Sequence, residues 1–192
     1  MQECQHNHRH TCEYSLDSRF KEIVPYLRVI DITKGCLTRL PLGSRYVALS
    51  YVWGNCNITG AFATLRSNVN ALTNPGSFDD VLSSSPSVVS DAFDFIRNIG
   101  EQYLWIDRIC IVQNDDEEKQ NIINKMDLVY GNAFITLFAA TGKDANTGLP
   151  GVRRNSRGCH QLIDEIGPGL ELMAPLDLEN LMTSVWATRG WT

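Results

Sequence analysis

Two groups of residues in this chain have types and spacings that could do chemistry. The first is Asp107, Cys110, Gln113 and Asp115, inside the run YLWIDRICIVQNDDEEKQNIINKMDLVY from Tyr103 to Tyr130. Asp107 and Asp115 are its carboxylates, and Asp107 is expected to cap a turn or pair with Arg108. Cys110 is a nucleophile only beside a base. No histidine lies between His10 and His160, so a buried, inert thiol is the expectation. Gln113 is expected to hydrogen-bond the turn. The second group is Cys4, His6, His8, His10 and Cys12, all zinc-ligand types. Their every-second-residue spacing is unlike that of zinc fingers, and a strand would put all five on one face. The alternative is a frayed His-rich terminus that binds metal only adventitiously. No resident metal is expected, and these five are the candidates if one is held. The chain has no Gly-rich phosphate loop and no zinc-hydrolase motif.

The hydrophobic pattern shows which elements must position the first group. Tyr103 to Val112 is apolar, aromatic or β-branched except at Asp107 and Arg108, which predicts a strand buried on both faces. Asp107 then lies near the carboxyl end of a central strand, where open α/β sheets bind ligands. At Asp115 the period changes. Asp115 caps a helix, Glu118 completes a capping box, and Ile122, Met126, Val129 and Tyr130 follow at helical spacing up to Gly131. Arg45 to Gly54 is apolar on both alternating faces and predicts a second interior strand. It ends on Trp53 and Gly54. The glycine frees the backbone to turn, and Trp53 either lines a pocket or anchors the core through its indole N–H. Ala133 to Ala140 predicts a third buried strand, followed at the same sheet edge by the polar loop Thr141–Gly148. The ligand-binding rim is therefore expected to comprise Ser50, Trp53, Gly54, Asp107, Cys110, Gln113 and Gly142.

The remaining segments frame these. Tyr26 to Leu40 suggests a β-hairpin with Thr33, Lys34 and Gly35 at its tip. Residues 55–86 form a long surface connection with a short helical piece at Leu65, Val69 and Leu72. Pro86 to Gly100 is a helix, with Val88, Ala92, Phe95, Ile96 and Ile99 as its apolar stripe and Asp91, Asp94, Arg97 and Asn98 facing out. Arg153, Arg154 and Arg157 either bind an anion or line a solvated loop. Leu170 to Ala174 is a further strand. Strand, loop, helix, strand, helix, strand from residue 45 to 140 implies right-handed crossovers and a parallel sheet.

Composition sets limits on function. The chain has 192 residues, 43% hydrophobic and 20% charged, which is ordinary globular content. A net charge of −5 gives no electrostatic reason to expect nucleic acid. The longest apolar runs are strand-sized, so no membrane span is expected. The polar start MQECQHNHRH lacks the apolar core of a secretory signal, which places the chain in the cytoplasm with reduced thiols.

Several separate motifs, in order, resemble the heterokaryon incompatibility (HET) domain of filamentous fungi. They are YVALSYVWG at 46–54, Pro86 with Asp91 and Ala92, and GEQYLWID at 100–107 through Cys110, Ile111 and Gln113. Met126, Tyr130, Ala133, Gly148 and Leu149 follow, then Trp186 and the closing Arg189, Gly190 and Trp191. The resemblance divides the chain into an N-terminal extension, 1–40, and a HET domain, 41–192. It implies an α/β, flavodoxin/TIR-like fold: a mostly parallel central sheet with helices on both faces. The function it implies is fungal non-self recognition, as a programmed-cell-death effector or signalling module acting through protein partners or self-assembly. The family also looks distantly similar to TIR domains, some of which cleave NAD at its nicotinamide bond using a glutamate. On that alternative NAD would be the substrate, with no resident cofactor. Asp107 and Asp115 would be the catalytic candidates: Asp107 could hold a ribose hydroxyl or act as a carboxylate partner, and Asp115 and Asp116 are the other carboxylates near the site. In the family the Arg-Gly-Trp motif runs on into a Gln-Glu pair, whereas this sequence stops at Thr192, so the domain is expected to be incomplete at its C-terminal end.

Overall fold

The computed structural model describes residues 18–54, 63–140, 142–154, 156, 163–173 and 182–188. Its strands are β1 (Arg28–Asp31), β2 (Cys36–Arg39), β3 (Val47–Ser50), β4 (Tyr103–Ile106), β5 (Ile135–Phe138), β6 (Ile163–Gly167) and β7 (Leu170–Met173). Its α-helices are α1 (Asp79–Ser83), α2 (Ser87–Asn98), α3 (Asp107–Cys110), α4 (Asp116–Ile123) and α5 (Met126–Gly131). Short 3-10 turns occupy Ser18–Glu22, Val24–Tyr26 and Ala71–Thr73.

The three apolar stretches near residues 47, 104 and 135 lie side by side. β3 pairs in parallel with β4 on one side, Val47 opposite Leu104, and with β5 on the other, Val47 opposite Ile135. Val47, Ala48 and Leu49 are wholly buried, so both faces of the central strand are covered. Unlike the mostly parallel sheet expected, the five strands run in the order β2-β1-β4-β3-β5 and the sheet is mixed. The hairpin β1–β2 forms as read, and β1 then pairs antiparallel with β4. A hairpin tip of four residues cannot reverse direction without making its two strands antiparallel. Once β1 docks on β4, half the pairings are therefore antiparallel. Asp31 fixes the tip: its Oδ1 accepts from the Thr33 and Lys34 amides at 3.0 Å each, and Gly35 turns at φ +61°. Gln102 Nε2 donates to the other oxygen at 3.1 Å, tying the tip to the start of β4.

Four element boundaries differ from the sequence reading. The strand expected to reach Val112 stops at Ile106. Asp107 Oδ1 accepts from the Arg108 amide, and α3 turns the chain at once. This is local side-chain bonding in competition with a ladder. The helix expected from Asp115 to Gly131 breaks at Asn124 and Lys125, where Lys125 leaves helical geometry (φ −124°, ψ +20°). Ile122, Met126 and Val129 nonetheless stay buried. The predicted strands 45–54 and 133–140 shorten to four residues each, and β5, read as buried, is the edge strand of the sheet, half-buried with Phe138 exposed. On α2 the apolar stripe is buried as read at Val88, Ala92 and Ile96, but Asp91, expected to face out, is only 2% exposed. It accepts from the Leu149 amide at 2.8 Å and from Arg153 Nε. Arg153, itself exposed on its loop, is therefore the counter-ion of a buried carboxylate. Gly148 is required there, since a Cβ would lie 2.6 Å from Asp91 Oδ2 and φ is +78°.

Among the described residues no helix is long and apolar enough to cross a membrane. Cys36 and Cys110 are buried free thiols.

Candidate functional site

The carboxyl ends of β3, β4 and β5 gather the polar groups that the sequence singled out. Asp107 follows directly on β4 and is 8% exposed. Both of its carboxylate oxygens accept from Trp53 Nε1, at 3.1 Å each, and Oδ1 also accepts from the Arg108 amide at 2.7 Å. The Arg108 guanidinium stacks over the Trp53 ring, 4.9 Å from its centroid. Trp53 is thus held to the site by its polar edge and its face together. Gln113 secures the turn from below: Nε2 donates to the carbonyls of Asp107 at 3.0 Å and Ile111 at 3.1 Å. Thr64, which the sequence reading missed, stitches the long connection onto α3. Its amide donates to the Arg108 carbonyl at 3.2 Å, its hydroxyl to the Ile109 carbonyl, and its own carbonyl accepts from the Gln113 amide at 2.8 Å.

A cleft of about 240 Å³ opens beside this cluster, lined by Trp53, Asp107, Ile111, Gln113, Lys119, Ile123 and Met126. Lys119 supplies its cation and was not anticipated. The signal was present, since Lys119, Ile123 and Met126 stand four and three residues apart and share one face of a helical run.

The rest of the rim is closed by contacts within the chain. Ser50 is buried and its Oγ accepts from Trp186 Nε1 at 3.0 Å. The Trp186 ring meets Phe138, at the end of β5, edge-on at 4.8 Å. Gly54 turns at φ +78° where the loop after β5 presses on it, and a Cβ there would lie 2.6 Å from Asp144 Cβ. Gly142 is packed against Thr147, whose Cβ would stand 2.9 Å from an added one. Ser50, Gly54 and Gly142 therefore join the rim without lining the cleft.

Cys110 lies beneath the rim. Its thiol is directed at the Leu104 carbonyl, 3.8 Å away, and receives the Ile106 amide at 3.4 Å. Burial pushes its pKa up to about 12, so the thiolate is not formed near neutral pH. Asp115 is the N-cap of α4. It accepts from the Glu118 amide at 3.2 Å and from Arg66 Nε at 3.1 Å, and Arg66 holds its carboxyl below the usual range. It lines a different cleft from Asp107. The reciprocal half of the capping box does not form. The Asp115 amide donates to the Val112 carbonyl, and Glu118 instead grips Arg28 of β1 through both carboxylate oxygens.

Among the described residues no group of three or more His, Cys, Asp or Glu side chains is placed to hold a metal ion. Cys4, His6, His8, His10 and Cys12 lie outside the described residues, as do Arg157 and the motif Arg189, Gly190 and Trp191. The protein family described as heterokaryon incompatibility protein (HET) matches the chain over residues 46–192. No curated protein and no solved structure matches it.

Proposed function

The chain belongs to the heterokaryon incompatibility family, and on that premise we propose that it is a programmed-cell-death effector or signalling module of fungal non-self recognition, working through the carboxyl rim of its sheet by engaging a protein partner or further copies of itself. The observation that carries this reading is the state of Asp107. Both of its oxygens already hold donors from the chain, so the carboxylate acts as a brace for Trp53. Cys110, beneath the rim, is protonated and turned inward. The adjoining cleft, at about 240 Å³, falls below the range of roughly 300–1,000 Å³ typical of small-molecule sites. A braced tryptophan, an arginine on its face and a nearby lysine suit a protein contact, where aromatic and cationic anchors concentrate the binding energy.

A second reading, TIR-like hydrolysis of NAD, draws on Asp107 and Lys119 lining one cleft at the strand ends. A carboxylate there would stabilise positive charge on the ribose as nicotinamide leaves.

Expression in fungal cells, scored for death at matched protein level, tests the first reading. The wild type should kill, and Lys119→Glu should abolish killing without lowering the melting temperature. Survival with the wild type at normal level would overturn it. Incubation of the purified protein with NAD tests the second, which fails if no nicotinamide is released.

A further inference from the structure

A second cleft, of about 420 Å³, lies away from the rim, between α4 and the segment that leads into the β1–β2 hairpin. Its size falls within the small-molecule range. Two features of its lining point to a ligand.

The first is an exposed cation that shares its nearest carboxylate. Arg28 and Arg39 stand directly opposite one another across β1 and β2, a like-charged cross-strand pair that costs stability unless it is neutralised. One carboxylate, Glu118, serves the pair, and it is committed to Arg28 in a two-pronged contact. Arg39 donates to the Tyr26 carbonyl and has no carboxylate within 4.0 Å among the described residues. Burial, and then the Arg28 charge, lower its pKa, and the Glu118 charge opposes them in part.

The second is the balance of the remaining charges. Asp115 is engaged by Arg66 and by the start of α4. That leaves Glu22 and Glu117 against Arg39 and Lys125, with no ion pair joining any of them among the described residues. Beneath them Ile23 and Ile122 form an apolar floor, and Tyr26 stands 69% exposed at the wall. A dianion would meet the two carboxylates, and a simple cation would meet Arg39 and Lys125. A molecule carrying one charge of each sign and an apolar body satisfies all three parts.

We propose that this cleft binds a zwitterionic ligand of the amino-acid class, its carboxylate on Arg39, its ammonium facing Glu117 and Glu22, and its apolar side chain over Ile23, Ile122 and Tyr26. The site is distinct from the rim and does not depend on the partner-docking reading given above.

Titration calorimetry on the full 192-residue chain with three probes tests it. L-phenylalanine carries both charges, N-acetyl-L-phenylalanine only the carboxylate, and L-phenylalaninamide only the ammonium. Phenylalanine should bind, and each analogue should bind at least about tenfold more weakly. Arg39→Gln should weaken phenylalanine by about tenfold with the melting temperature retained. Should Arg39→Gln fail to fold, Glu117→Gln serves in its place: it should weaken phenylalanine and leave N-acetyl-phenylalanine unchanged. No phenylalanine binding up to about 10 mM, equal binding of either analogue, or unchanged affinity in the variant that folds would overturn the proposal.

Discussion

Asp107 is held by its neighbours, Trp53 and the Arg108 amide. A buried carboxylate needs donors, and the one indole N–H of Trp53 is shared between both oxygens. Trp53→Phe keeps most of the ring packing but removes that donor. The expected loss is about 1–3 kcal/mol, read by urea unfolding. If stability is unchanged, Asp107 does not depend on the indole. Cys110 gives a second prediction at this scale. With burial lifting its pKa to about 12, alkylation of the native protein at pH 8 followed by peptide mapping should leave it unlabelled, and unfolding should expose it. Labelling at the rate of a free thiol would show the site is open. The sign of the linkage follows. The folded pKa lies above the ordinary 9.0, so this contribution to stability is intact below about pH 9 and is lost as pH rises toward 12. Residue types alone suggested most of this arrangement: an inert thiol, an anchored indole and a glutamine on the turn. Lys119 and Thr64 were not read, because nothing local marks a side chain that acts across the fold.

Elements are joined here by a few specific contacts. The tie between α4 and β1 is Glu118 on Arg28. Burial pushes the Glu118 pKa up, but the Arg28 hydrogen bond and charge outweigh it and hold the carboxyl below its ordinary 4.5. The stability from this pair is therefore present above that value and lost as pH falls through the lowered one. Glu118→Gln should destabilise the protein at pH 7 and reduce the steepness of its acid unfolding; an acid limb identical to wild type would remove the pair from the account. The turn after β3 makes a different prediction. Gly54→Ala places a Cβ 2.6 Å from Asp144 at φ +78°, which should cost about 1–3 kcal/mol or more. Gly131→Ala, at the end of α5, meets nothing within 4 Å and should stabilise by about 0.5–1 kcal/mol. Thermal melts of the two variants in opposite directions would bear this out, and two shifts of the same sign would not. Most element types were legible because periodicity carries them, though the turn of helix at α3 was read as strand and β6 was not read. Element ends were not, because α3 and the break at Lys125 depend on which backbone groups find tertiary partners.

At the scale of the whole molecule, the match to the family begins at residue 46, but the sheet does not. β1 covers the edge of β4, and Phe20, Leu27, Val29 and Ile30 are buried in the same core as Leu104 and Trp105. A chain beginning at residue 41 would leave that edge unpaired and the core open. It should fail to give a cooperative unfolding transition or dispersed amide resonances. A stable fold from such a chain would show that the hairpin is an accessory.

The sequence by itself determined where the three apolar strands of the sheet lie, that Asp107 ends one of them, and which residues cap and turn beside it, but not that β5 would stand at the sheet's edge. These follow from hydrophobic period and local backbone chemistry, which act over a few residues. Only the tertiary structure decided the rest: that the early hairpin makes the sheet mixed, that Asp91 is buried on Arg153, and that Trp186 reaches back to Ser50 across the chain. Each of those depends on which polar group is left wanting a partner once the core has closed, and that is set by packing between segments far apart in the chain.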